Sequence, residues 1–341
     1  MSDHFWLGMI VIFIGGALNG AFALPMKYTR KWKWENTWLV FAATALLVVP
    51  WLLASGFVPH LGEVYRGVST RALLAPLIFG FLWGIAQVTF GLGISAVGMA
   101  LAFAVVAGLS CLSGALVPLL VLNPADLLRP RGILLLVSMP ILFAGLVLYG
   151  MAGRRREKEQ TPVGVSQGAA MAFMTGLAIC IFTGIFGSNI NLGFAFSGPI
   201  LDKAVSLGAI PVTSTYASWA LVLGAGFIPN LLYCLLLLFR NGTWHLFLKP
   251  GWARETALGV AMGLLWLSGM LGYGIGATLV GRYGTSLGYT LFTTALILSS
   301  NCLGILTGEW KSTSVKTRRV LTAAVVVILL SVVVLNLGGL F

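Results

Sequence analysis

Residues 82–98 read LWGIAQVTFGLGISAVG, and residues 265–281 read LWLSGMLGYGIGATLVG. At a constant shift of 183 positions, six of the seventeen aligned residues are identical: a Leu-Trp pair, the glycines of a Gly-x-Gly, and a closing Val-Gly. A few shared leucines or glycines would mean little in an apolar chain, whereas this fixed spacing indicates an internal duplication. Repeats of this kind build many membrane transport folds.

The composition places the whole chain in a membrane. Of its 341 residues, 58% are hydrophobic and only 9% are charged, whereas soluble domains carry about 25% charged residues. Apolar runs of about 20 residues, each enough for one helical span, continue from end to end. We expect no soluble domain and ten spans, at approximately 5–25, 36–56, 72–94, 97–122, 132–152, 164–188, 212–239, 255–280, 284–307 and 320–339.

The distribution of lysine and arginine predicts the orientation of these spans. Of the 21 basic residues, 15 fall in odd-numbered links between spans and six in even-numbered links. Because cytoplasmic links carry the basic excess, both termini are predicted to lie outside. The same excess explains the net charge of +12. Anionic membrane lipid is therefore an expected partner, and nucleic acid is not.

Five spans per half is an odd number, so the second half must enter the membrane from the opposite side. The predicted fold is all-α and integral to the membrane, with ten transmembrane helices arranged as two inverted five-helix repeats. Residues 1–153 form the first repeat, 154–163 a basic cytoplasmic linker, and 164–341 the second repeat. A substrate path is expected where the two halves meet, near the middle of the membrane.

Catalysis and metal binding find little support in the sequence. No histidine or carboxylate lies in the middle of a span, and no two carboxylates are spaced as an acid–base pair within one helix. The four cysteines are isolated in different apolar spans, without CxxC spacing or a nearby histidine. We therefore expect no enzyme, no metal and no cofactor, and no obligate protein partner is evident.

The polar and aromatic side chains within the spans are the candidates for a substrate site. The predicted set is Asn19, Trp83, Gln87, Asn191, Asn230, Trp266, Tyr273 and Tyr289. A buried amide is costly unless it is paired, so the alternative role for each is to join helices together. Amides pair with hydroxyl groups as donors and acceptors, and aromatic faces stack on sugar rings. A site of this chemistry, without a buried charge, suits a neutral polyhydroxylated molecule.

Several segments of the chain carry a family resemblance. They are Phe22-x-x-Pro25-x-Lys27, Lys31-Trp32-x-Trp34-Glu35-x-x-Trp38, Trp83-Gly84-Ile85, Phe90-Gly91-Leu92, Val97-Gly98-Met99, Asn191, Asn230, Leu265-Trp266 and Glu309-Trp310. Together they resemble the L-rhamnose–proton symporters of the drug/metabolite transporter superfamily, over nearly the whole chain. The resemblance implies a multi-pass protein of a bacterial-type inner membrane that takes up a deoxy-sugar, L-rhamnose or similar, with a proton.

Two positions depart from that family. The family has an acidic residue beside the tyrosine of span nine, where this chain has Gly288 before Tyr289. The family also has a glutamine three residues beyond the tryptophan of span eight, where this chain has Gly269. A group that carries the proton is therefore sought at the end of a span. Glu35, within the tryptophan-rich motif, is the candidate. A drug/metabolite-type exporter or a uniporter of another small metabolite stays open as the alternative.

Overall fold

The structure is a computed structural model that describes residues 5–122, 128–160, 166–280 and 286–337. Within these ranges almost the whole chain is helical. The α-helices are α1 (Phe5–Ala21), α2 (Trp34–Ala42), α3 (Val49–Phe57), α4 (Leu61–Arg66), α5 (Thr70–Val97), α6 (Met99–Leu122), α7 (Pro130–Gln160), α8 (Ser166–Phe186), α9 (Asn189–Ala195), α10 (Gly198–Ser206), α11 (Pro211–Asn241), α12 (Trp252–Val280), α13 (Ser286–Leu306) and α14 (Val315–Leu337).

Length and apolar character make many of these helices suited to cross a membrane. Seven stretches qualify among the described residues: Phe5–Tyr28, Trp34–Phe57, Thr70–Val97, Gly132–Arg156, Pro211–Asn241, Trp252–Ala277 and Val315–Val334. Three shorter apolar stretches, Met99–Ser110, Phe173–Phe186 and Leu291–Leu306, fall within the predicted fourth, sixth and ninth spans. The chain is a multi-pass membrane protein, and the count of ten spans stays a prediction.

Two helices differ from the predicted spans for local reasons. α7 continues to Gln160, so residues 154–160, predicted to lie in the linker, are helical. Arginine, lysine and glutamate favour helix, and nothing in that segment breaks it. The second span is divided, because Ala43–Val48 forms a π-helical turn between α2 and α3. Pro50 has no N–H to continue the regular pattern of hydrogen bonds, and the wider turn before it accommodates this gap.

The helices form two compact units, and each unit draws on both halves of the sequence. The first unit contains the described residues of Met1–Ala21, Thr89–Ile185 and Ser268–Phe341. The second unit contains Phe22–Val88 and Phe186–Leu267. The chain therefore passes from one unit to the other within α5 and within α12, inside the two copies of the repeated segment.

Glycines allow close approach of helices within each unit. In the first unit, a Cβ atom at Gly8 of α1 would lie 2.8 Å from the carbonyl oxygen of Gly276 on α12. In the second unit, a Cβ atom at Gly84 of α5 would collide with the carbonyl oxygen of Gly226 on α11. Such contacts between small residues are a main source of helix association in membranes.

Candidate substrate site

The two tryptophans of the repeated segment meet in the second unit. The ring centroids of Trp83 on α5 and Trp266 on α12 lie 5.8 Å apart, with an angle of 34° between the ring planes, and both rings are buried. The bare backbone of Gly226 makes room for Trp83, since a Cβ atom there would lie 2.9 Å from Cε3 of the indole. Two of the predicted site residues are thus in direct contact.

Gln87 lies one helical turn beyond Trp83 on α5. Residues four apart share one face of a helix, so the amide and the indole lie on the same side. The side chain of Gln87 is 5% exposed, and its Nε2 atom is buried with no hydrogen-bond partner among the described residues. A buried polar group left unpaired costs about 1–3 kcal/mol. An acceptor on a bound ligand would remove that cost.

Among the described residues, two further polar atoms of the second unit are buried without a hydrogen-bond partner: Trp34 Nε1 and Thr37 Oγ1, both on α2. The ring of Trp34 stacks on Trp38, with centroids 5.1 Å apart, and its neighbour Tyr233 meets it edge-on at 6.0 Å. Neither Trp34 nor Thr37 belongs to the set of site residues predicted from the sequence. No signal in the sequence distinguishes an unpaired polar side chain from a paired one.

Asn230 of α11 makes hydrogen bonds with all parts of its amide group. Nδ2 donates to the carbonyl oxygens of Gly84 (3.2 Å) and Gly226 (2.8 Å), and Oδ1 accepts from Nε1 of Trp38 (2.8 Å). Both N–H groups are therefore used within the protein. These contacts favour a role in joining α2, α5 and α11 over direct contact with a substrate.

Glu35 also has partners in the second unit. Its side chain is 3% exposed, and Oε1 accepts hydrogen bonds from Asn241 Nδ2 (3.0 Å) and Thr243 Oγ1 (2.8 Å). Nearby, Trp32 Nε1 donates to the carbonyl oxygen of Leu246 (3.0 Å). A carboxylate in the first turn of a helix is also favoured by the helix dipole. The tryptophan-rich motif thus fastens the start of α2 to the link that follows α11.

Asn19 and Tyr273 belong to the first unit. Asn19 of α1 is buried against α12, where a Cβ atom at Gly269 would lie 2.8 Å from the Asn19 Cβ. The ring of Tyr273 on α12 lies 5.2 Å from that of Phe292 on α13. The glycine that stands where the resembled family has glutamine is therefore a position of close helix packing.

Gly288, the other position that departs from the resembled family, is also closely packed. A Cβ atom there would lie 2.9 Å from Cδ1 of Ile12 on α1 and 3.9 Å from Cε2 of Tyr273. An acidic side chain at this position would have to displace Ile12. In this chain an isoleucine therefore takes the space beside Gly288.

Asn191 and Tyr289 are placed only by their backbones. Asn191 was predicted near the end of the sixth span, but α8 ends at Phe186 and Asn191 belongs to the separate short helix α9. Tyr289 lies on α13. Both side chains lie outside the described part of the structure, so their membership of a site stays a prediction.

Long apolar helices place the chain in a membrane, and a buried indole pair with an unpaired amide fits a membrane transport protein. The chain belongs to the L-rhamnose-proton symport protein (RhaT) family, whose model matches residues 1–340. It is 24% identical over 345 residues to the L-rhamnose-proton symporter of Cronobacter sakazakii, with 99% of each chain covered. Its identity to the L-rhamnose-proton symporter of Mannheimia succiniciproducens is 26% over 354 residues, and to that of Yersinia pestis 25% over 345 residues, again with 99% of each chain covered.

Proposed function

We propose that this chain is a secondary active transporter that takes up a neutral deoxy-sugar, L-rhamnose or a close relative, together with a proton. The observation that carries the substrate class is the unpaired Nε2 of Gln87 beside the buried pair Trp83 and Trp266. An amide N–H donates to a sugar hydroxyl, and indole faces pack on the C–H face of the ring. The names of the similar proteins support the same substrate and coupling ion.

The proposed architecture is two five-helix repeats in inverted orientation, each matching one half of the sequence. Its first support is the composition of the two units. Helices of the first and sixth, fourth and ninth, and fifth and tenth predicted spans fall in the first unit. Those of the second and seventh fall in the second unit, and those of the third and eighth change unit partway along. Helices at corresponding positions in the two halves are thus assigned to the same unit, or change unit in the same way.

Recurring contacts are a second support for the repeats. A Cβ atom at Gly93 would lie 2.6 Å from Sγ of Cys180, between the third and sixth predicted spans. Gly276 stands 183 residues after Gly93, and a Cβ atom there would lie 2.5 Å from Cγ1 of Ile12, between the eighth and first spans. The contact between the third and sixth spans is therefore matched by a contact between the eighth and first spans. A two-fold relation between the halves requires such a pair of contacts.

Residues that correspond under the shift of 183 also contact each other. Trp83 meets Trp266 in the second unit, and in the first unit a Cβ atom at Gly145 would lie 2.6 Å from Cγ1 of Ile328. Equivalent residues meet in this way near a two-fold axis. Inverted repeats related by such an axis provide two states of similar energy, which is the usual basis of alternating access.

The proposed location is a bacterial-type inner membrane, with odd-numbered links in the cytoplasm and both termini outside. The excess of basic residues in the odd-numbered links supports this orientation. Placement in the drug/metabolite transporter superfamily belongs to the same proposal. The test is the accessibility of single cysteines, introduced in odd- and even-numbered links of intact cells, to a reagent that does not cross membranes. Labelling of the odd-numbered links would overturn the orientation.

Glu35 is the proposed site of the coupled proton. It is a buried carboxylate whose contacts with Asn241 and Thr243 have to break or rearrange before it changes its charge, with Lys33 close by. Glu35→Gln keeps an acceptor for these contacts but cannot bind and release a proton. If Glu35 carries the proton, the variant equilibrates sugar but does not accumulate it. Equal accumulation by both proteins would assign the proton to another group.

One observation favours the alternative of a uniporter, which is the packing of Ile12 and Tyr273 around Gly288. An acidic side chain, which the resembled family has at this position, would have to push the Cδ1 end of Ile12 aside. Uptake driven by an imposed proton gradient separates the two functions, because a uniporter would equilibrate its substrate whatever the gradient.

The substrate class is tested by thermal melting of the purified protein with individual deoxy-hexoses. A ligand stabilises the state that it binds, by about 2.7 kcal/mol at a concentration 100 times its Kd. We expect L-rhamnose to raise the melting temperature of the native protein and neutral amino acids to leave it unchanged. Stabilisation by amino acids and by none of the sugars would favour export of another metabolite.

A further inference from the structure

One end of the first unit gathers an excess of positive charge. It is built from the last turns of α7, the link after α13 and the first turn of α14. Its basic residues are Arg154, Arg155, Arg156, Lys158, Lys311, Lys316, Arg318 and Arg319. The three segments are joined by direct contacts, so these charges share one region of the surface: the Arg156 guanidinium lies 5.0 Å from the ring centroid of Trp310, and Glu159 bonds to Ser314.

Arg156 and Glu309 bind backbone groups on either side of Gly98, where α5 ends and α6 begins. Arg156 Nη2 donates to the carbonyl oxygen of Val97 (3.0 Å), the last residue of α5. The first two backbone N–H groups of α6 donate to the carboxylate of Glu309 (2.9 and 3.2 Å). Each side chain thus satisfies backbone groups that a helix end leaves unpaired.

Glu159 is engaged as well. Its carboxylate accepts hydrogen bonds from the backbone N–H (2.6 Å) and the hydroxyl (2.8 Å) of Ser314, and from the hydroxyl of Thr317 (2.7 Å). Arg155 lies four residues before Glu159 on the same face of α7, and after these hydrogen bonds its positive charge also helps to lower the pKa of that carboxyl. This electrostatic contact does not supply a hydrogen-bond partner for Arg155 Nη1 among the described residues.

Two donors remain unpaired in this region. Within the part of the chain that the structure describes, Arg155 Nη1 and Trp310 Nε1 are both buried without a hydrogen-bond partner, and the side chain of Trp310 is only 2% exposed. Guanidinium and indole N–H groups donate and never accept. Their missing partner must therefore supply acceptor atoms. The basic residues around them favour a partner with negative charge.

We propose that this region binds the phosphate of an anionic phospholipid, with Arg155 and Trp310 as the donors. A phosphate offers several acceptor oxygens and matches the fork of a guanidinium. In a membrane protein, a basic cluster at the end of the spans faces the headgroups, where anionic lipids supply phosphate at high local density. Inorganic phosphate shares this chemistry and is distinguished from lipid in the experiment.

The experiment measures the melting temperature of the detergent-purified protein with added phosphatidylglycerol, phosphatidylethanolamine or inorganic phosphate. We expect phosphatidylglycerol to raise the melting temperature by several degrees and the other two to have little effect. Arg155→Gln and Trp310→Phe should each lose at least half of this rise. Trp310→Phe removes the N–H but also shrinks a buried ring that faces Arg156, so the rise is measured against the melting temperature of the same variant without lipid.

Arg154→Gln is the matched control. It removes the same charge at the neighbouring position, where the exposed guanidinium contacts Met174 Sδ (3.0 Å), and it should keep the full rise. An equal loss in Arg154→Gln and Arg155→Gln would overturn the proposal in favour of diffuse attraction. Equal stabilisation by inorganic phosphate and by phosphatidylglycerol would overturn the assignment to lipid. No arm uses a sugar, so the result is independent of the proposed transport function.

Discussion

Replacing Gln87 by methionine distinguishes an amide that binds substrate from one that joins helices. Methionine is unbranched and of similar length, so it fills the space and removes the amide. Because Nε2 of Gln87 is buried without a partner, the substitution deletes a donor whose desolvation costs about 1–3 kcal/mol. The free energy of unfolding of the variant should therefore rise or stay unchanged.

Sugar binding should change in the opposite direction. A neutral hydrogen bond contributes about 1 kcal/mol, and more when the partner hydroxyl is left buried and unpaired, so the Kd for L-rhamnose should rise about fivefold to tenfold. Calorimetric titration measures the Kd, and thermal melting without sugar measures the stability. A lower melting temperature with an unchanged Kd would refute the assignment of Gln87 to the site and return it to helix joining.

Three further predictions follow from the contacts. Asn230→Leu leaves the indole N–H of Trp38 without its acceptor and removes a donor to two helix carbonyls, so thermal melting should show a loss of about 1–3 kcal/mol. Gly84→Ala, which collides with a facing backbone, should cost about 1–3 kcal/mol by the same assay, whereas Gly56→Ala meets open space and should be neutral. Hydrogen bonds, led by that from the backbone N–H of Ser314, lower the pKa of Glu159. The stability from Glu159 is therefore present above its ordinary pKa and lost as the pH falls through the lowered value, so Glu159→Gln should flatten the acid limb of melting temperature against pH.

The positions of the helices could largely be predicted from the sequence. Apolar runs long enough to span a membrane leave little choice of structure, because lipid cannot satisfy an exposed backbone. The described part of each predicted span is largely helical. The π-helical turn before Pro50 and the helices α9 and α10 could not be predicted, since they depend on local hydrogen bonding that hydropathy does not record.

The candidate site could be predicted only in part. The repeat selected Trp83 and Trp266, and their contact in the second unit agrees with that selection. Composition could not separate Gln87 from Asn230, because both are buried amides within helices and differ only in whether partners reach them. For the same reason, the hydrogen bonds that fix Glu35 to the link after α11 could not be foreseen, since they join residues about 200 positions apart.

A proton gradient should drive sugar uptake through this chain, and reconstituted proteoliposomes measure that coupling. Vesicles containing the purified protein are given an inward proton gradient and radiolabelled L-rhamnose, with and without a protonophore. We predict that internal sugar rises above the external concentration and that the protonophore returns it to equality. Internal sugar that never exceeds the external concentration, with or without the gradient, would contradict the account.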